Sequence, residues 1–192
     1  IEVLKNKKIV NKVLLAQAYI GLGNAASNND DKVKYYNLAI KVIDGEPGNE
    51  VLLAQAYIGL GNARYTNEKV KDRVEWYHKA IKLIEAKPGN EVLLAQAYIG
   101  LGNVRYQGDG SDWYNKALEL LINIAGTEVL QAQANIGLGN AVSNNNDKTK
   151  YYNDKIKYYN EARIILEKTS NVDNSLLAKA CQGLGRNRCV VG

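Results

Sequence analysis

Apolar residues recur along this chain at helical spacing, inside one repeated phrase. VLLAQAYIGLGNA fills residues 13–25 and again 51–63, VLLAQAYIGLGNV fills 92–104, and VLQAQANIGLGNA fills 129–141. A worn copy, SLLAKACQGLGRN, spans 175–187. Within one copy Leu53, Ala56, Tyr57 and Leu60 follow i, i+3, i+4, i+7 and share a helix face, while Gln55, Ile58, Gly59, Asn62 and Tyr65 fall on another. Polar residues that favour an N-cap precede each phrase: Asn11, Asn49, Asn90, Thr127 and Asp173. Glu50, Glu91 and Glu128 then stand at the first helical position, where a carboxylate meets the positive end of the helix dipole.

A second helix follows each phrase. Its mark is an aromatic-Tyr pair, two further residues, then Ala: Tyr35-Tyr36 with Ala39, Trp76-Tyr77 with Ala80, Trp113-Tyr114 with Ala117, Tyr158-Tyr159 with Ala162. Polar loops of varying length separate the helices: SNNDDK, TNEKVKD, QGDGSD and the longest, SNNNDKTKYYND. Variable length at such positions costs little loop entropy. Pro47-Gly48 and Pro88-Gly89 end two second helices.

The Leu-Gly pairs begin at Leu22, Leu60, Leu101, Leu138 and Leu184, spaced by 38, 41, 37 and 46 residues. A period in this range predicts an all-α, stacked repeat array with one continuous core of nearest-neighbour contacts. The repeats run at about 11–48, 49–89, 90–126 and 127–172, with a final first helix at 173–189. The chain has no Met, residues 1–4 read as the tail of a preceding second helix, and no second helix follows Gly185. These features give the expectation of a fragment of a longer protein.

The unit resembles a tetratricopeptide repeat. Tyr57, Leu60, Gly61, Tyr77, Ala80 and Pro88 fill six slots of that family's pattern. The Pro sits three residues later than in the 34-residue repeat, so the likeness is to the long-helix subgroup with repeats of about 40 residues. The resemblance implies an α-solenoid of antiparallel helix pairs wound as a right-handed superhelix. Departures fall at Arg64 and Arg105, where the family has Tyr, with Tyr65 and Tyr106 one place late. The small slot four residues before the second aromatic holds Lys32, Arg73 and Lys155, with Gly110 alone small. Looser packing is expected there.

In the family, the first helices line a concave inner face. The resemblance places on it Gln17, Gln55, Gln96 and Gln133 as one row, Asn24, Asn62, Asn103 and Asn140 as another, and Ile20, Ile58, Ile99 and Ile136 between them. Amides both donate and accept, so the rows suit an extended peptide backbone. The alternative is that each Asn bonds the neighbouring helix or its own backbone. Each first helix also carries two glycines, which cost about 0.5–1 kcal/mol apiece against Ala. Gly61 and its equivalents match a family contact between helices. Gly21, Gly59, Gly100, Gly137 and Gly183 either pack between adjacent first helices or leave a bare groove floor. The carboxylate clamp of chaperone-tail binders is absent, since its Lys slot holds Ile and its second-repeat Asn slot holds Gly.

Chemistry adds little. His78 is the single histidine, so no metal-ligand set or general base is expected. Gly59-Leu60-Gly61 starts like a nucleotide fingerprint, but Arg64 replaces the third Gly and no strand precedes it. Twenty-five Lys and Arg against 20 Asp and Glu give +5, with the Lys residues on second helices and loops. That is the pattern of a solvated outer face. The segment 150–159 alone interleaves Lys with aromatics in the way of nucleic-acid binders. Cys181 and Cys189, eight residues apart, would lie about 12 Å apart on a continuous helix. They are expected reduced, and the chain cytoplasmic. No apolar run is long enough for membrane insertion.

The sequence thus predicts a non-catalytic scaffold without cofactors that holds a protein or peptide in its concave groove. A peptide- or ligand-sensing domain of a larger regulator is the second reading. An RNA-binding helical array is the third, and the charge pattern argues against nucleic acid as the partner.

Overall fold

The computed structural model of the chain describes residues 2–63, 70–104, 110–142, 148–169 and 173–185, with side chains placed from residue 12 onward except at 70 and 148–152. Among the described residues all regular structure is helical. The order is α1 (Glu2–Ala25), α2 (Asn29–Ile43), α3 (Glu50–Asn62), α4 (Val70–Ile84), α5 (Glu91–Val104), α6 (Ser111–Leu121), α7 (Glu128–Ala141), α8 (Lys148–Lys168) and α9 (Asn174–Gly183). In the first unit α1 packs on α2, α2 on α3 and α3 on α4; in the second α6 packs on α7, α7 on α8 and α8 on α9. The chain divides into two compact units, Ile1–Gly100 and Leu101–Gly192, with the division inside α5.

In the first unit the core gathers Ala16, Ile20, Tyr36, Ala39, Ile43, Leu53, Ala56 and Leu60. These are the small and apolar residues of the phrase together with Tyr-x-x-Ala of the second helix. In the second unit Ala132, Ile136, Tyr159, Ala162, Leu166, Leu176, Leu177, Ala180 and Cys181 do the same. Alanine on the facing helix surfaces lets the axes approach, and the long side chains fill the space between them.

The helix junctions differ from the capping expected of the sequence. Asp173 accepts from the N–H groups of Ser175 and Leu176, as an N-cap should. Asn49 and Thr127 make no forward side-chain cap, and together with Asn90 they bond the other way. They donate backward to the end of the preceding helix turn: Asn49 Nδ2 to the Glu46 carbonyl, Asn90 Nδ2 to the Lys87 carbonyl, and Thr127 Oγ1 to the Leu121 and Ile124 carbonyls. The glutamates after them fold back as acceptors. Glu50, Glu91 and Glu128 each take an N–H from the glycine two residues earlier, Gly48, Gly89 and Gly126. Those glycines have φ of 85°, 85° and 79°, a left-handed turn that L side chains disfavour. One tetrad, Gly-Asn/Thr-Glu with its preceding residue, therefore ties the end of one helix to the start of the next.

Asn11 is not a cap. It lies inside α1, and residues 2–4 belong to that same helix rather than to a preceding one. No glycine or proline stands before Asn11, so nothing there stops the helix. The polar loops are also shorter than their composition suggested. Asn28 accepts from Asp31 N and starts α2, with Asp30 and Asp31 in its first turn. Likewise Lys148 already belongs to α8, so 150–159 is helical. Arg64, Tyr65, Arg105 and Tyr106 lie outside the described residues.

The cysteine expectation is corrected. Cys181 is disulfide-bonded. The one other cysteine of the sequence, Cys189, lies outside the described residues. The separation argument assumed a helix through both, but α9 ends at Gly183 and Gly185 turns with φ 67°.

Candidate functional site

The phrase glycines and the second-helix tyrosines form one device. Four tyrosines, Tyr36, Tyr77, Tyr114 and Tyr159, are buried. Each ring lies between two glycines of successive first helices: Tyr36 between Gly23 and Gly59, Tyr77 between Gly61 and Gly100, Tyr114 between Gly102 and Gly137, Tyr159 between Gly139 and Gly183. A Cβ on any of these eight glycines would stand within 3.0 Å of ring atoms. The Gly59 series therefore packs on tyrosine rings, while Gly59 and Gly183 also line the clefts described below. A tyrosine from the preceding second helix covers it. Gly21 has no such partner, with nothing within 4 Å of its would-be Cβ.

Each tyrosine hydroxyl then donates to the asparagine of its own repeat. The pairs are Tyr36 to Asn24 at 2.8 Å, Tyr77 to Asn62 at 2.7 Å, Tyr114 to Asn103 at 2.9 Å and Tyr159 to Asn140 at 2.6 Å, all on Oδ1. Burial raises the Tyr36 phenol above its ordinary value, so it stays a donor. The four asparagines are exposed. Their amides are oriented from below, with Oδ1 engaged and Nδ2 left to donate outward. The structural role of the Asn row thus occupies only the amide oxygen of each side chain.

In the first unit a cleft of about 510 Å³ opens above this layer. It brings together Ile20, Asn24, Gln55, Ile58, Asn62 and Gln96, half of the expected inner-face residues. The isoleucines there are largely covered, with Ile20 and Ile58 buried, as are Ile99 and Ile136. Gln96 and Gln17 are exposed, and Gln55 and Gln133 half-buried. Val51, Val92 and Leu93 also line the cleft and were not expected. The stripe that carries them was visible: Val51, Gln55, Ile58 and Asn62 follow i, i+4, i+7, i+11 on α3.

In the second unit a cleft of about 350 Å³ is lined by Ile136, Asn140, Lys155, Tyr159, Lys179, Gln182 and Gly183. Lys179 holds the Gln position of the phrase and Gln182 the Ile position. The surface here is basic. Gln17, Ile99, Asn103 and Gln133 line neither cleft.

Two departures from the repeat pattern have clear roles. Arg73, in the small slot, donates Nε to the Gly61 carbonyl at 2.9 Å, and Lys155 lines the second cleft. Gly110, the one small residue in that slot, approaches the Gly102 backbone so closely that a Cβ would stand 2.5 Å from its carbonyl oxygen.

Among the described residues no three His, Cys, Asp or Glu side chains converge as a metal site. No described helix is long and apolar enough to cross a membrane. The sequence matches no protein-family model and no curated protein.

Proposed function

We propose that the chain is a non-catalytic binding module whose first-helix surface holds an extended peptide segment. The reading rests on the cleft of about 510 Å³ in the first unit, which unites Asn24, Gln55, Asn62 and Gln96 over a fixed tyrosine layer. Asn24 and Asn62 offer Nδ2 donors whose orientation is set by Tyr36 and Tyr77. Gln55 and Gln96 add groups that both donate and accept. Such a row suits main-chain carbonyls and amides and requires little of the ligand's side chains. An α-solenoid of antiparallel pairs, tetratricopeptide-like, is the architecture that stacks these rows in register, and the Gly-Tyr-Gly sandwich repeated four times supports it.

The basic cleft in the second unit favours an anionic group on its ligand, from Lys155 and Lys179 beside Asn140 and Gln182. The disulfide at Cys181 fits an oxidising compartment better than the cytosol. The cytoplasmic expectation drew on reduced cysteines and loses that support.

The test is selection of unstructured peptides from a display library against the full chain, followed by calorimetry in low and high salt. Peptides whose affinity survives loss of side chains but not N-methylation of the backbone support the reading. Failure to select any peptide, or selection of RNA with a steep salt dependence, would overturn it.

A further inference from the structure

The fourth phrase breaks the pattern at two places on one face of α7. Where the first three copies have Tyr19, Tyr57 and Tyr98, it has Asn135. Where they have Leu15, Leu53 and Leu94, it has Gln131. The lost tyrosine matters because of what Tyr57 does. Its ring stacks on Trp76 with centroids 5.6 Å apart and packs against the first unit's core, with Lys79 above both rings. Tyr57 is a plug between α2 and α4.

At Asn135 the plug is gone and a cavity of about 370 Å³ stands open, lined by Leu118, Ile122, Gln131, Asn135, Glu161 and the pair Ile164-Ile165. Its rim has changed in the same direction. Asp44 and Glu85, which act on Tyr57 and Tyr98, are matched by Ile122 after α6. Lys82 of α4 is matched by Ile164 of α8. Ile122 is 71% exposed and Ile164 42% exposed. Removing an aromatic plug would ordinarily leave a polar dent. Here the charged rim has been replaced by bare aliphatic side chains at the same time.

Asn135, which lines the cavity, holds an unmet acceptor. Asn135 is 4% exposed, its Nδ2 donates to the Gln131 carbonyl at 3.1 Å, and its Oδ1 is buried with no partner. Gln131 is held in turn, its Nε2 donating to the Leu121 carbonyl and Thr127 Oγ1. A buried acceptor without a donor is costly and rare in native proteins. One carboxylate, Glu161, stands at the side where α4 has Lys79.

We propose that this cavity is a socket for an aromatic side chain of a partner peptide, one that brings its own donor, a tyrosine or tryptophan, next to a lysine or arginine. The ring replaces the absent tyrosine between α6 and α8, the hydroxyl or indole N–H meets Asn135 Oδ1, and the adjacent cation meets Glu161. The socket shares no residue with either amide-lined cleft, so it is a second recognition site and does not depend on the peptide groove.

The test uses the full chain, labelled for amide NMR, with the tripeptides acetyl-Lys-Tyr-Lys-amide and acetyl-Glu-Tyr-Glu-amide, p-cresol and toluene as probes. The Lys-Tyr-Lys peptide should shift resonances of α7 and α8 around Asn135 and Ile164 and bind about tenfold more tightly than the Glu-Tyr-Glu peptide. Displacement by p-cresol should exceed displacement by toluene. N135Y restores the residue of the other phrases and should abolish binding with the fold intact; I164K, which restores the charged rim, should weaken it. Equal binding of p-cresol and toluene without peptide binding would make the cavity a small-molecule site and overturn the proposal. So would wild-type affinity in N135Y, or a dimer in sedimentation that N135Y converts to monomer.

Discussion

The Tyr77 hydroxyl donates to Asn62 Oδ1 across 2.7 Å, joining the fully buried ring of α4 to the exposed amide of α3. Helix propensity alone would make Asn62→Ala harmless or stabilising. The bond reverses that sign. Asn62→Ala should lower stability by about 1–3 kcal/mol, because a buried hydroxyl loses its acceptor. In a double-mutant cycle with Tyr77→Phe, the coupling should be about 1 kcal/mol. Additive losses in denaturant unfolding would show that the pair does not act as a unit.

Two members of one glycine series, Gly59 and Gly21, make opposite predictions at equivalent positions. Gly59→Ala drives a methyl into the Tyr36 ring and should destabilise by about 1–3 kcal/mol. Gly21 occupies the same place in the first phrase with open space around it, so Gly21→Ala should stabilise by about 0.5–1 kcal/mol. Leu22 supports the contrast, being 47% exposed where Leu60 is 3% exposed. Thermal melts of the two variants decide it, and shifts of the same sign would refute the sandwich.

The glutamine row gives the cleanest test of the groove. Gln55 and Gln96 line the first cleft but belong to neither the tyrosine sandwich nor the helix junctions. Changing both to Ala should leave the melting temperature within experimental scatter. Affinity for a selected peptide should fall by about 0.5–1.5 kcal/mol per lost hydrogen bond. Unchanged affinity would move the binding surface elsewhere.

At the helix junctions, Glu50 and Glu91 titrate below the ordinary carboxylate range. Glu50 is held down first by its own backbone N–H, then by the Lys87 ammonium and the Gly48 N–H; Glu91 by its own N–H and that of Gly89. A folded-state pKa below the unfolded one favours the folded state above the unfolded pKa. That contribution is lost as pH falls through the folded value. Carboxyl NMR titration should place both midpoints below that of a free glutamate, and Glu50→Gln should lessen the loss of stability on acidification. Midpoints at or above the free value would refute the fold-back geometry.

Much of this was legible in the residues. The i, i+3, i+4, i+7 pattern and the repeated phrase specify helices and their order, because side-chain period and turn chemistry are local properties. The junctions at Gly48 and Gly89 were readable for the same reason, as a Pro-Gly pair cannot continue a helix. Other features depended on which helix arrives opposite which. Sequence could not tell that the Gly59 series receives a tyrosine from the preceding second helix, or that the exposed asparagines are bonded from beneath. It could not tell whether Asn49 caps forward or donates backward, since both choices satisfy the same amide. Nor could it foresee that α9 stops at Gly183, which removed the helical separation assumed between Cys181 and Cys189. Asn135 is the sharpest case. In the sequence it is one substitution within a phrase, and only the packing of α6 and α8 around it turns a missing tyrosine into an open cavity with a buried acceptor. Local period is written along the chain, whereas the partner of a side chain is set by distant segments brought together by burial.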